Sequence, residues 1–153
     1  MHTGNSFEEV QERLKRVMAQ EPGLTSNGFK SSWKPSNTHG RSSQEVFERE
    51  RRELLEDEVV KFDRACFLLG GIGKSAGIND MYDTYNIKHR IEECLWTFFR
   101  YPNVHISNGA TIAAAIDCGF MYEADGASAY INISDEDYFK LNAGPPIEEV
   151  PER

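Results

Sequence analysis

The sequence is poor in cysteine and has no long apolar run. Its three cysteines, Cys66, Cys94 and Cys118, are odd in number and widely spaced, which argues against a disulfide framework and favours a reducing compartment. No apolar stretch approaches the ~20 residues that cross a bilayer. Residues 1–10 lack the basic and apolar regions of a secretory signal. We therefore expect a cytoplasmic protein with no membrane partner.

Positive charge is also in short supply. The chain has 17 lysines and arginines against 25 aspartates and glutamates, which gives a net charge of -8. By segment the charge is +2 over residues 1–43, -3 over 44–66, -1 over 67–120 and -6 over 121–153. Nucleic-acid binders normally present a basic face, because phosphate neutralisation dominates their affinity. The balance therefore argues against such binding, although a near-neutral core can still present one basic face.

A glycine-rich loop is present, but it does not fit a phosphate-binding loop. The loop runs from Gly70 to Ser75 and contains Lys74. The phosphate-loop pattern requires a glycine five positions before Gly73, where this chain has Leu68, and it also requires a preceding buried strand. We interpret the glycines as a helix end followed by a loop, whose Lys74 could still contact a phosphate.

Recognisable catalytic and metal motifs are absent from the sequence. His89 and Cys94 lie five positions apart, so on one helix they point in different directions and do not form a metal-binding pair. No nucleophile elbow or triad spacing is present. We therefore expect no enzyme activity, no metal and no cofactor, and we interpret Cys94 and Cys118 as small buried hydrophobic residues.

Helical spacing and turn residues divide the chain into four parts. These are an amphipathic helix over residues 1–21, a flexible arm rich in Ser, Gly and Pro over 22–43, a helical domain over 44–142, and a disordered acidic tail over 143–153. Ser6 and Glu9 form a capping box at the start of the first helix. Trp33 in the arm either folds back onto the domain or anchors the arm to a partner.

The spacing of apolar residues predicts one long helix over residues 44–69. Ser42 and Glu45 form its capping box, charged pairs at i, i+4 support it, and Gly70 ends it. Its first half is the more highly charged. That half either forms a solvated face or provides the contact surface of a homodimer.

Residues 87–133 predict two compact helices and a hairpin. The first helix ends before Pro102, the second is capped by Ser107 or Asn108 and ends at Gly119, and Asp125–Gly126 marks the hairpin turn. A short helix capped by Ser134 follows, over residues 135–141. The expected fold class is therefore mainly α, a helical domain with a winged helix-turn-helix-like core and a small β-hairpin.

A winged helix-turn-helix would place its second helix in the major groove of DNA. On that hypothesis, Asn108 and Thr111 are exposed and contact base edges. The phosphate contacts would come from Lys74, Lys88, Arg90 and Arg100. This set is small, and the fold alone does not imply DNA binding.

The segment over residues 85–133 also resembles small proteins carried by phages, plasmids and other mobile elements. The match comprises Lys88-His89 with Glu92 three positions on, then Asn108-Gly109, followed by an Ile-Ala-Ala-Ala run that leads to Gly-Phe. His105 stands where those proteins have Tyr. The resemblance implies a mobile-element context in a host cell, but no activity.

Two functions remain open on the sequence alone. In the first, the chain is a non-enzymatic phage or mobile-element accessory protein that binds nucleic acid through its winged-helix-like core. In the second, it is an acidic inhibitor or adaptor that binds a host or viral protein. Charge favours the second function and topology favours the first.

Overall fold

The computed structural model describes residues 4–30, 43–102 and 104–141. These residues form six α-helices and two small antiparallel sheets, which confirms the mainly α class. The helices are α1 Phe7–Gln20, α2 Ser43–Asp57, α3 Val59–Gly70, α4 Thr84–Phe99, α5 Asn108–Asp117 and α6 Asp135–Lys140. The strands are β1 Leu24–Thr25, β2 Gly28–Phe29, β3 Asn79–Asp83, β4 Tyr122–Asp125 and β5 Ser128–Ile131.

Helix α1 begins as its sequence predicts. The Ser6 side chain accepts from the Glu9 amide, and the Glu9 carboxylate accepts from the Ser6 amide at 3.0 Å. The buried face of the helix carries residues at helical spacing, Val10, Leu14, Val17 and Met18. Their burial packs α1 against α3 and α5.

Residues 24–29 form a β-hairpin, which corrects the prediction of a flexible arm from residue 22. Leu24 and Phe29 are buried and anchor the hairpin. They were overlooked because the surrounding Gly, Ser and Asn residues are typical of a flexible segment. Gly28 has a positive φ of 105°, and a Cβ there would lie 2.1 Å from the Ala127 carbonyl oxygen. Trp33, the capping residue Ser42 and the tail over 143–153 lie outside the described residues.

The predicted helix over residues 44–69 is two helices, α2 and α3, because the chain changes direction at Glu58. The backbone of Glu58 has φ -107° and ψ 7°, and no side chain caps the start of α3 there. Instead, the Glu58 carboxylate accepts from the Ser107 amide. A tertiary contact therefore accompanies this break, and no Gly or Pro signals it in the sequence.

The predicted hairpin of β4 and β5 is confirmed, with Gly126 in its turn at φ 60°. Strand β3, which the sequence analysis did not predict, follows the glycine-rich loop and pairs with β5, so the sheet order is β3-β5-β4. The inward-facing residues of β5, Ala129 and Ile131, are fully buried. Ser134 caps α6 as predicted.

Helix α5 lies inside the molecule. Its residues from Asn108 to Ala115 are all buried. Its closest packing is against α3, and α1, α4 and both sheets also contact it. The small side chains of α5 permit this close approach. The prediction that Asn108 and Thr111 are exposed is therefore wrong, and Thr111 has no accessible surface at all.

Candidate functional site

Glu92 on α4 contacts two other residues that carry the mobile-element resemblance, Lys88 and His89. Its carboxylate lies 3.2 Å from Lys88 Nζ and 3.0 Å from His89 Nδ1. The same carboxylate accepts from the Ile106 amide at 2.9 Å. Positions i, i+3 and i+4 of a helix share one side, so this part of the pattern positions the chain just before α5.

Glu58 binds the next amide along the same segment. Its carboxylate accepts from the Ser107 amide at 2.9 Å and lies 3.0 Å from Lys61 Nζ. Two carboxylates, each paired with a lysine, therefore fix consecutive amides at the start of α5. Negative charge at this end of a helix is also favoured by the helix dipole.

Asn108 connects α4, α5 and the β4–β5 hairpin. Its Oδ1 accepts from Thr84 Oγ1 at 3.0 Å, and Thr84 Oγ1 in turn accepts from the Ala129 amide at 3.1 Å. Its Nδ2 donates to Ser128 Oγ at 3.1 Å and lies 3.4 Å from the Ala127 carbonyl oxygen. These bonds engage both the oxygen and the nitrogen of the buried Asn108 side chain within the protein.

Gly109 lies where no side chain fits. A Cβ there would be 1.8 Å from the Thr25 carbonyl oxygen, and the Gly109 amide donates to the Ser26 carbonyl oxygen at 3.0 Å. The first hairpin therefore rests directly on the first turn of α5. Asn108 and Gly109 therefore hold the start of α5 against α4 and both hairpins, which gives this motif a structural role.

The structure places each of the four cations predicted to contact phosphates in a different environment. Lys74 lies over the Phe120 ring at 4.8 Å, and Lys88 is held by Glu92. The guanidinium of Arg90 lies 4.6 Å from the ring centre of Tyr138, next to α6. Arg100 ends α4 in the left-handed conformation, with φ 59°.

A cleft of about 580 Å³ opens beside these motif residues. The lining comes from the first hairpin, the end of α2, the start of α3 and α4, the segment before α5, and the β4–β5 turn. The residues are Ser26, Asn27, Glu53, Asp57, Glu58, Lys61, Tyr85, Lys88, His105, Ile106, Ser107, Asn108, Ala127 and Ser128. Segments this far apart in sequence gave no common signal, so sequence analysis missed the cleft.

One wall of the cleft is acidic. Ser26 Oγ donates to Glu53 Oε2 at 3.0 Å, and Asp57 at the end of α2 is exposed. Next to this wall, Asn27 Nδ2 donates to Glu50 Oε1 at 2.6 Å. Glu50 is buried, and this burial raises the pKa of its carboxyl group. Its other oxygen, Oε2, has no hydrogen-bond partner within the described part of the chain.

The outer side of α4 presents aromatic side chains next to the cleft. We call this side, formed by Tyr85, His89, Glu93, Trp96 and Arg100, the α4 face. Tyr85 and Trp96 are exposed to 51% and 55%. The His89 ring meets Tyr85 edge-on, with 4.6 Å between ring centres. Tyr85 also lines the cleft, so the two features form one continuous surface.

Comparison of the chain with protein-family models, curated proteins and solved structures gives no match. The resemblance to mobile-element proteins therefore stays a prediction.

Neither a membrane span nor a metal site emerges from the described ranges. Over residues 4–30, 43–102 and 104–141, no helix is long and apolar enough to cross a membrane. The same ranges contain no group of three or more His, Cys, Asp or Glu side chains that could hold a metal ion.

Proposed function

We propose that this protein binds a partner protein through the α4 face and the adjoining cleft. The observation that carries the proposal is the exposure of Tyr85 and Trp96 on one side of one helix. Large aromatic side chains are costly to leave in water, and they are over-represented among the residues that dominate protein interfaces. Beside them, the cleft offers a concave surface in which a side chain of the partner can be enclosed.

The charges of this surface favour a basic partner segment. Glu53 and Asp57 line the same cleft as Tyr85, while Lys61 and Lys88, which also line it, are paired with Glu58 and Glu92. The chain as a whole has a net charge of -8. Complementary charge steers association and selects the partner. The expected partner segment carries Lys or Arg beside apolar side chains, with the cation in the cleft and the apolar groups on Trp96.

The winged-helix hypothesis for nucleic-acid binding has less support. A recognition helix must expose side chains to base edges, whereas Thr111 is buried and the Asn108 amide is bonded within the protein. The hairpin that would serve as the wing carries Glu123 and Asp125, both exposed. Acidic side chains at that position repel phosphate. We therefore keep nucleic-acid binding as an outcome of the test below.

The nature of the partner follows from the sequence resemblance rather than from geometry. Proteins of mobile elements work in a host cell alongside host and viral proteins. A host or viral protein with a basic, partly apolar segment is therefore the partner that we propose. The function is one of binding, as an inhibitor or adaptor, with no chemical step assigned to the cleft.

The test is a selection of random peptides displayed on phage against the purified full-length protein. We expect the enriched peptides to combine Lys or Arg with Leu, Phe or Trp. Synthetic copies should bind with a dissociation constant that rises at least about tenfold in the Tyr85→Ala/Trp96→Ala double variant, since interface aromatics are common hot spots. A Glu53→Gln/Asp57→Asn variant should bind the basic peptides more weakly, and the salt dependence of that binding should be smaller.

The matched control is Phe139→Ala, because Phe139 is exposed to a similar extent, 53%, but lies on α6. Peptides that bind all variants equally would contradict the proposal.

The second arm of the test measures the fluorescence anisotropy of a labelled random DNA duplex over a salt series. Binding that weakens steeply with salt would restore the nucleic-acid hypothesis. A dimer at micromolar concentration that Trp96→Ala dissociates would identify the partner as a second copy.

A further inference from the structure

Two of the three cysteines meet at the contact between α3 and α5. Cys66 lies on α3, and Cys118 is the residue that ends α5. The Cys118 thiol lies 3.5 Å from the Cys66 carbonyl oxygen, to which it can donate. Cys66 Sγ lies 3.7 Å from Oδ2 of Asp117, the residue just before Cys118, so the two thiols are neighbours at this contact.

The two thiols have different environments. Cys66 is buried, whereas Cys118 is only partly buried, which corrects the prediction of a buried Cys118. The interaction with Cys66 lowers the pKa of Cys118 and outweighs burial and the Asp117 carboxylate, which act in the opposite direction; the positive charges of Lys74 and Arg13 lower this pKa further. The interaction with Cys118, together with burial, raises the pKa of Cys66. Cys118 is therefore the thiol that ionises first and that solvent reaches.

The Asp117 carboxylate lies beside the buried thiol of Cys66. Asp117 Oδ2 lies 3.7 Å from Cys66 Sγ and is held by Arg13 Nε at 3.1 Å. When Cys66 attacks another sulfur it must release its proton. Asp117 is placed to accept that proton, and solvent reaches Asp117 because its side chain is 21% exposed.

We propose that Cys66 and Cys118 form a peroxide-oxidised site that closes into a reversible intramolecular disulfide. The Cys118 thiolate attacks one oxygen of hydrogen peroxide, forming a sulfenic acid and releasing hydroxide, which takes up the proton that Cys118 lost. Cys66 then attacks the sulfenic sulfur. An S–S bond forms, the S–O bond breaks and water leaves. The two thiols lose two electrons and peroxide is reduced to two waters.

The disulfide would connect the end of α5 to α3 across 52 positions of the chain. A cross-link that closes a loop of this length restricts the unfolded chain. We therefore expect the oxidised protein to unfold at a midpoint temperature about 10 °C above that of the reduced protein. The α4 face lies on another helix, and the cleft is lined by Lys61 near the start of α3 and Asn108 at the start of α5, away from Cys118 at the end of α5. Peptide binding through the α4 face should therefore be unaffected.

The test treats the reduced full-length protein with a small excess of hydrogen peroxide and follows its intact mass. We expect a loss of two hydrogen atoms, a cross-linked peptide pair containing Cys66 and Cys118, and full reversal by dithiothreitol. In Cys66→Ala, the sulfenic acid of Cys118 should persist and react with dimedone. In Cys118→Ser, neither the sulfenic acid adduct nor the cross-link should form.

Cys94→Ser is the matched control, because Cys94 is buried on α4 and burial raises its pKa to about 11. This variant should form the disulfide at the wild-type rate. Three findings would overturn the proposal: a wild-type mass gain that stops at one oxygen, a cross-link that includes Cys94, or a disulfide that forms only between two chains. Circular dichroism of each reduced variant checks that loss of reaction is not loss of fold.

Discussion

Helices α4 and α5 are neighbours in sequence, but α5 is buried whereas α4 has an exposed side. From Asn108 to Ala115, α5 is buried on every side. By contrast, α4 buries Ile87, Ile91 and Leu95 and leaves Tyr85 and Trp96 half exposed. A helix of small residues suits the inside of a bundle, where neighbouring backbones come close. A helix with large residues on both sides has a surface left over for a partner.

The residues that stand out in the sequence are therefore not the residues that face outward. Glu92, Asn108 and Gly109 carry the resemblance, yet they hold the start of α5 against α4 and both hairpins. Trp96 belongs to no motif and is among the most exposed aromatics of the described chain. If this comparison is right, changes on α5 should act on stability, and changes on the α4 face should act on binding.

Gly109→Ala should have the largest effect on stability. Alanine is a better helix former than glycine by about 1 kcal/mol, so propensity alone predicts a gain. The new Cβ would lie 1.8 Å from the Thr25 carbonyl oxygen, and backbone cannot yield as a flexible side chain can. We expect a loss of more than about 3 kcal/mol in the free energy of unfolding, measured by urea denaturation followed by circular dichroism.

Gly77→Ala is the control for this change, because a Cβ at Gly77 meets nothing within 4 Å. It should shift the free energy of unfolding by less than about 0.5 kcal/mol. Equal stability of Gly109→Ala and wild type would mean that the first hairpin does not rest on α5.

Asn108→Ala should have a smaller effect than Gly109→Ala, a loss of about 2 kcal/mol. The change leaves the buried Thr84 Oγ1 without its acceptor and the half-buried Ser128 Oγ without its donor. A double-mutant cycle with Thr84→Val isolates the direct bond. We expect a coupling energy of about 1 kcal/mol in urea denaturation. Additive effects of the two changes would show that Asn108 acts without Thr84.

Local signals in the sequence predicted much of the secondary structure. Ser6, Ser107 and Ser134 cap helices because their hydroxyl groups accept amide hydrogen bonds within one turn. Gly126 marks the hairpin because its place in the turn requires a positive φ. These features depend on residues a few positions apart, and sequence spacing reveals them.

The features that were missed depend on distant residues. The break at Glu58 accompanies a bond to Ser107, 49 positions away. Strand β3 exists because β5 is there to pair with it. The exposure of α5 was misjudged because spacing identifies an apolar side of a helix but cannot tell how many neighbours surround the rest. The cleft was missed for the same reason, since its walls meet only in the fold.

Trp96→Ala should have the smallest effect on stability and thereby sharpen the comparison. Trp96 is 55% exposed, so its truncation removes little buried area, and we expect a change of less than about 0.5 kcal/mol in the free energy of unfolding. Phe99→Ala, three positions along α4 on the buried side, should cost about 3 kcal/mol. Urea denaturation of both variants measures the difference. A cost of 2 kcal/mol or more for Trp96→Ala would mean that this side chain packs within the chain. That result would contradict the proposal that the α4 face binds a partner.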